Sequence, residues 1–306
     1  MMSGYHKRLR HFLIVLFIVG VTGSDLSRAS GMSSTLDRIR QTGTIRIGYG
    51  DEPPFSYVGP EDRVVGYSID LCKRISEALR IRLGMDKLDI EYVFRTPANR
   101  IQQVSNGAID IECVTSTNSS EERRRNVAFS LSYFMVGTRY VSLRKNNLHT
   151  LESLRGRSIS IVLGTINASQ INRINREMKL NLSAVVTDTI QKAFDMVSQE
   201  QVSAFAMDDI LLRAMIARTP NPQDYDISDE VIDDDAKYGF MMRRDDEEFH
   251  HAVNDALRQI YASDEIYEIY DRWFTKPLPG IQINLNYPLS EKLRRVFLTA
   301  DTVGAE

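Results

Sequence analysis

Arg100-Ile-Gln-Gln-Val-Ser-Asn-Gly-Ala-Ile-Asp-Ile-Glu-Cys113 and Ile190-Gln-Lys-Ala-Phe-Asp-Met-Val-Ser-Gln-Glu-Gln-Val-Ser-Ala-Phe-Ala-Met-Asp-Asp209 share one pattern. In each, an amphipathic helix ends in polar residues and an apolar strand follows, finishing in a polar or charged tip. The first tip continues as Val114-Thr-Ser-Thr-Asn-Ser-Ser-Glu-Glu-Arg-Arg-Arg125, clustered hydroxyls followed by arginines. Thr115, Ser116 and Thr117 can donate short hydrogen bonds, and an arginine adds a two-pronged, permanently charged fork to the same oxygens. The stretch therefore fits a carboxylate clamp. It equally fits a plain loop leading into an exposed helix, and taken alone it does not separate the two.

Working outward, Thr44 to Gly48 alternates like a strand that empties into a Gly/Pro loop. Asp70 can cap a helix whose apolar positions Leu71, Ile75, Ala78 and Leu79 share one face, with Gly84 past its end. A strand over Ile90 to Phe94, a helix over Ala98 to Asn106 and a strand over Ile109 to Val114 complete a βαβα order that favours a parallel sheet. The second half repeats it: Ser158 to Thr165 is strand into loop, Ile171 to Met178 helix, Val185-Val186 strand, and Ile190 to Ser198 helix. Two α/β lobes are expected, lobe 1 from residues 35–138 plus 242–280 and lobe 2 from 144–236. Extended crossings are expected at 139–143 and 237–241. Helices are expected over Glu247 to Tyr261 and Glu265 to Phe274, and residues 281–306 read as a surface segment with a last short helix near Ser290 to Phe297.

Residues 1–30 have a basic start, His6-Lys-Arg-Leu-Arg-His11, an apolar run from Phe12 to Val21 and then small and polar residues. This is the secretory signal pattern, too short to span a bilayer comfortably, and it predicts export. A retained leader would instead act as an anchor. The chain has 38 Lys and Arg against 41 Asp and Glu; without residues 1–30, which hold Lys7, Arg8, Arg10 and Arg28 against Asp25, the net charge moves from −3 to about −6. An acidic surface argues against a nucleic-acid partner. Cys72 and Cys113 are the only cysteines, and sequence alone does not bring them together.

Enzyme chemistry leaves no mark. His149, His250 and His251 are the only histidines after the leader, and an adjacent pair cannot form the i, i+4 metal motif on a helix. Walker loops, nucleophile elbows and paired Cys-x-x-Cys motifs are missing, Asp233-Asp-Asp235 lacks calcium-loop spacing and reads as a solvated turn, and no metal or cofactor is expected. Asn167 enters only as a chance match to a glycosylation sequon. What survives is a set of polar residues at strand ends, Thr115, Thr117 and Arg123 from the first half and Thr165 and Asp208 from the second. Strand ends converge on the crevice of an open α/β sheet. An arginine facing an aspartate there suits a zwitterion. The plain alternative makes Arg123 a surface residue and Asp208 a helix cap.

The chain resembles the family 3 solute-binding proteins of bacterial ABC importers, most closely those for glutamate and aspartate. The matching runs, in order, are Gly43-Thr-Ile-Arg-Ile-Gly48, Pro54-Phe-Ser-Tyr57, Val65-Gly-Tyr-Ser68, Asn99-Arg100, Asp110-Ile-Glu-Cys113, Glu122-Arg123, Ala128-Phe-Ser130, Val136-Gly-Thr-Arg139, Gly164-Thr165, Ala204-Phe-Ala-Met-Asp-Asp209, Tyr238-Gly239, Trp273-Phe274 and Asn284-Leu-Asn286. The resemblance implies a type II periplasmic-binding-protein fold, two α/β lobes joined by two crossing strands. It implies a monomer that closes around one free amino acid and delivers it to a membrane permease. Carried over, Arg123 grips the α-carboxylate with Thr115 and Thr117 beside it, although this chain holds one residue more than the family pattern between Thr117 and Arg123. Thr165 adds a contact from the second lobe, Asp208 takes the α-ammonium, and Arg100 resembles the arginine that meets an acidic side chain.

Three departures bear on the ligand. The glutamate/aspartate binders carry a further arginine after the first strand, where this chain has Gly50 or Asp51, and a histidine where Ile190 stands; Pro97 replaces a hydroxyl residue. Losing cations around a distal carboxylate raises the cost of burying it. Glutamate or aspartate and an uncharged polar amino acid such as glutamine or asparagine therefore both remain expectations. Two other functions stay open: a periplasmic enzyme similar to the dehydratases of this fold, needing a cleft acid such as Glu112 or Glu52, and a sensory module with a retained anchor.

Overall fold

The computed structural model describes residues 34–118 and 121–300; the expected leader lies outside them. The first half runs α1 (Thr35–Thr42), β1 (Thr44–Tyr49), β2 (Tyr57–Val58), β3 (Val64–Val65), α2 (Tyr67–Arg82), β4 (Asp89–Phe94), α3 (Arg100–Ser105), β5 (Ile111–Glu112), α4 (Glu121–Asn126) and β6 (Val127–Phe129). The second half runs β7 (Phe134–Leu143), β8 (Ser158–Val162), α5 (Ile166–Glu177), β9 (Ser183–Thr187), α6 (Ile190–Ser198), β10 (Ala204–Asp208), α7 (Asp209–Ala217), β11 (Tyr225–Ile227) and β12 (Asp233–Tyr238). The chain then returns as β13 (Met241–Arg243), followed by α8 (Glu247–Tyr261), α9 (Glu265–Phe274) and α10 (Glu291–Leu298).

Two mixed sheets result, where sequence order favoured parallel ones. The first has the order β4-β1-β5-β13-β6, the second β11-β7-β10-β8-β9 with β12 also on β7. The βαβ crossovers make β1 parallel to β4 and β5, and β8 parallel to β9 and β10. The returning strand β13 lies antiparallel to β5 and β6, and β7 antiparallel to β10, β11 and β12. Ile45 and Ile47 of β1, Ile111 of β5, and Ile159 and Ile161 of β8 are buried, as expected for strands covered by helices.

Two of the helices at the cleft start with a side-chain cap. Thr165 caps α5 through a bond from the Ala168 amide, and Thr189 caps α6 through Lys192. Asp70 is not a cap: Gly66 precedes α2, and Asp70 instead accepts from Trp273 Nε1 at 2.9 Å and Arg272 at 2.9 Å, tying α2 to α9. Asp233-Asp-Asp235 is the start of β12, not a turn. His250 is half-buried and bonded to the Phe129 carbonyl at 2.8 Å.

Strand β7 belongs to the second sheet from Phe134 onward, because β12 pairs with it from Tyr238↔Phe134 to Asp233↔Thr138, so residues 134–138 pair there rather than in the first sheet. The connections between sheets are therefore 130–133 and 239–240. They bond to each other, Ser130 N to Phe240 O at 2.9 Å and Tyr133 N to Tyr238 O at 3.0 Å. Buried rings pack around them: Tyr133 stacks on Phe240 with centroids 4.3 Å apart, and Phe134 on Phe274 at 5.0 Å.

Cys72 and Cys113 are joined as a disulfide, a pairing that sequence left open, because α2 packs against the sheet where β5 ends. The bridge closes a 41-residue separation. Replacing both cysteines by alanine is expected to lower the unfolding free energy by about 2–4 kcal/mol, read from urea denaturation of the oxidised wild type beside the double variant.

Candidate functional site

In both sheets the loops at the carboxyl ends of the parallel strands carry the polar residues. β1 leads to Gly50 and Glu52, β4 to Arg95 and Arg100, and β5 to Thr115 and Thr117; β8 leads to Thr165, β9 to Ile190, and β10 ends at Asp208. This is the strand-end crevice that open α/β sheets offer a ligand. Five of the six expected residues, Arg100, Thr115, Thr117, Thr165 and Asp208, line one small cavity together with Glu52 and Ile190. Its volume is about 10 Å³, room for about one water, so the walls nearly touch. The sixth, Arg123, lines a neighbouring groove of about 490 Å³ that shares Thr165. No acidic residue is in that groove's described lining, so the small cavity is where both signs of charge meet.

Three consecutive arginines in α4 have different fates. Arg124 and Arg125 are exposed, whereas Arg123 is 7% exposed and donates to the Thr117 carbonyl at 3.0 Å and the Gly164 carbonyl at 2.9 Å. Arg100 is buried at the start of α3 and donates to Ser116 Oγ at 3.1 Å and again to the Gly164 carbonyl at 3.0 Å. One carbonyl of the second sheet's loop thus accepts from two arginines of the first. Gly164 is needed there: its φ is +80°, and a Cβ would lie 2.4 Å from the Pro97 carbonyl oxygen. Burial, and then the charge of Arg100, lower the pKa of Arg123 to about 9; burial and then Arg95 lower that of Arg100.

Asp208 precedes α7, but its side chain makes no cap bond. It is 1% exposed and accepts from Asn167 Nδ2 at 2.8 Å and from the Tyr238 hydroxyl. Asn167 also donates to Thr138 Oγ1 at 2.9 Å. Burial raises the Asp208 pKa to about 6, against the pull of those two donors. Ionising it therefore costs folding stability: its contribution is full below about 4, the unfolded value, and is lost as pH rises through about 6.

A buried ion network was not legible as a site. Arg95 donates to Glu52 Oε1 and Glu112 Oε1, both at 2.6 Å; Glu52 also accepts from Thr115 Oγ1, and Glu112 from Ser116 Oγ at 2.7 Å. All three ions are at most 5% exposed. Burial pulls the Arg95 pKa down, but Glu52 and Glu112 outweigh it and the net shift is upward. Glu52 and Glu112, the acids an enzyme would need, are thus both held by one guanidinium. Arg95 was hidden because it follows the apolar run to Phe94 like an ordinary strand end, and Asn167 because only its sequon was noticed. Among the described residues no cluster of His, Cys, Asp and Glu could hold a metal ion, and no helix is long and apolar enough to cross a membrane.

The fold is that of the two-lobed type II periplasmic binding proteins, with a polar cleft at facing strand ends. The chain belongs to the bacterial extracellular solute-binding proteins, family 3, whose model matches residues 45–276. It is 35% identical over 280 residues to the L-glutamate/L-aspartate-binding protein of Pseudomonas aeruginosa, spanning 91% of this chain and 92% of that one. It is 32% identical over 274 residues to the glutamate/aspartate import solute-binding protein of Escherichia coli, 89% of each. Among solved structures, an ancestral arginine-binding protein bound to arginine superposes with a TM-score of 0.68 at 25% identity, covering 76% of this chain and 98% of that one.

Arg95→Ala would leave Glu52 and Glu112 buried without their shared cation. A loss of about 3–5 kcal/mol in unfolding free energy is expected in chemical denaturation at neutral pH.

Proposed function

We propose that this protein is the periplasmic receptor of an ABC importer, capturing a free amino acid with an acidic or related polar side chain and presenting it to a membrane permease. The observation that carries this reading is the cavity walled by buried Arg100, Thr115 and Thr117 from one sheet and by Thr165 and Asp208 from the other. Arg123 and the hydroxyls of Thr115 and Thr117 hold the α-carboxylate, Thr165 adds a contact from the opposite wall, and Asp208 takes the α-ammonium. Arg100 reaches toward the side chain. Family membership and the names of the relatives support the same reading.

Lobe 1 is built on the first sheet and lobe 2 on the second, and closure occurs at 130–133 and 239–240. Tyr238 lies beside the second of these and holds Asp208, so the ammonium site and the crossing move together. Buried charges of opposite sign on facing walls make a ligand that pairs with both stabilise the closed form. The pattern of residues 1–30 supports export.

A melting-temperature screen of purified protein against the twenty L-amino acids at micromolar to millimolar concentration is expected to show a rise for a small group of polar ones, lost in Arg123→Ala and Asp208→Ala. A flat response from a correctly folded protein would remove the receptor reading. Since an ammonium favours ionised Asp208, binding also releases a proton below pH 6. Calorimetric affinity should rise by up to about tenfold per pH unit between about 4 and 6 and level off above, and Asp208→Asn should flatten that profile.

A further inference from the structure

Resting on the receptor reading, we propose that the buried Glu52–Arg95 pair is the specificity element of the site and selects a carboxamide side chain, as in glutamine or asparagine, over the corresponding carboxylate. The guanidinium beside the loop after β1 comes from the end of β4. A Cβ added at Gly50 would lie 3.1 Å from Arg95 Nη1 and 3.2 Å from Val114 Cγ1, so glycine leaves the room that Arg95 fills. Arg95 does not arrive as a free cation, however. It brings Glu52 at 2.6 Å and Glu112 at 2.6 Å with it.

Glu52 faces the same cavity as Arg100, Thr115 and Asp208, and it already accepts the Thr115 hydroxyl. Arg95 Nη2 and Arg100 Nε are both buried and have no hydrogen-bond partner. Arg100 lines that cavity, and Arg95 lines the adjoining hollow of about 170 Å³ that shares Glu52 and Ile190, so unmet donors stand on either side of a carboxylate acceptor. A primary amide uses both, its oxygen accepting from a guanidinium and its NH₂ donating to Glu52. A ligand carboxylate has only acceptors, and it would bring a like charge against Glu52 among buried side chains.

Charge balance leads to the same choice. Arg95, Arg100 and Arg123 face Glu52, Glu112 and Asp208, all buried. The other buried acids, Asp110 and Asp246, are bonded to Arg38 and Arg46 and to Arg243, away from the cavity. A zwitterion with a neutral side chain keeps the closed cleft neutral. An acidic amino acid leaves one uncompensated buried negative charge. Ile190, which lines the cavity where a histidine would have added a cation, does not offset it.

The test is isothermal titration of wild type and Glu52→Gln with L-glutamine, L-asparagine, L-glutamate and L-aspartate at pH 7.5. Wild type should bind the better carboxamide about tenfold or more tighter than its matching carboxylate, and Glu52→Gln should raise carboxylate affinity until the ratio falls to near one or inverts. A wild-type preference for carboxylates, or a ratio unchanged in Glu52→Gln, overturns the proposal; the wild-type ratio decides alone if the variant does not fold. Binding of other amino acids but none of these four overturns it while leaving the receptor reading intact. Failure of all amino acids removes both.

Discussion

The interaction on which the cleft depends is the burial of Arg95 between Glu52 and Glu112. An ion removed from water costs several kcal/mol unless it is paired and its remaining hydrogen-bonding atoms are met, so each member dictates its neighbours. Glu52 is positioned by the loop after β1, Arg95 by the end of β4 and Glu112 by β5, three adjacent strands of one sheet. Their side chains meet only because the strands stop at one level. Glu112 then orients Ser116, Ser116 receives Arg100, and Arg100 reaches the Gly164 carbonyl of the other sheet. A chain of charge-assisted bonds thus runs from the core of the first sheet to the opposite wall.

The opposite wall is built by different means. Asp208 is held by neutral donors, Asn167 and Tyr238, rather than by a cation. Its carboxylate is consequently costly to ionise, whereas the arginines opposite lose charge affinity through their own burial. Both walls improve when an opposite charge is placed between them. Tyr238 belongs to the aromatic cluster around the inter-sheet connections, which includes Phe55, Phe134 and Tyr133. Packed rings of this kind transmit displacement instead of absorbing it, which links Asp208 to the segments between the sheets.

Much of this was legible locally. The helices Glu247 to Tyr261 and Glu265 to Phe274 follow from apolar periodicity, and the residues after β5, β8 and β10 could be named because strand ends of α/β sheets converge. Arg123 could be singled out from Arg124 and Arg125 only through the family resemblance, since three consecutive arginines carry no local mark of which one points inward. Arg95 and Asn167 had no signal, and Glu52 only that of a candidate cleft acid: Arg95 lies 43 positions from Glu52 and 17 from Glu112, and Asn167 lies 41 from Asp208. Asp208 stands at the cap position before α7, but its side chain bonds Asn167 and Tyr238 instead of the helix amides.

By itself the sequence determined the α/β class, the repeated helix-strand grammar of the two halves and the polar strand ends, because periodicity and turn chemistry are local properties of the chain. Tertiary structure decided which ions are buried together, that Cys72 meets Cys113, and that Arg95 at the end of β4 lies beside the loop after β1. Those outcomes depend on where three strands end relative to one another and on which charges are removed from water together, and neither quantity is encoded in any one stretch of residues.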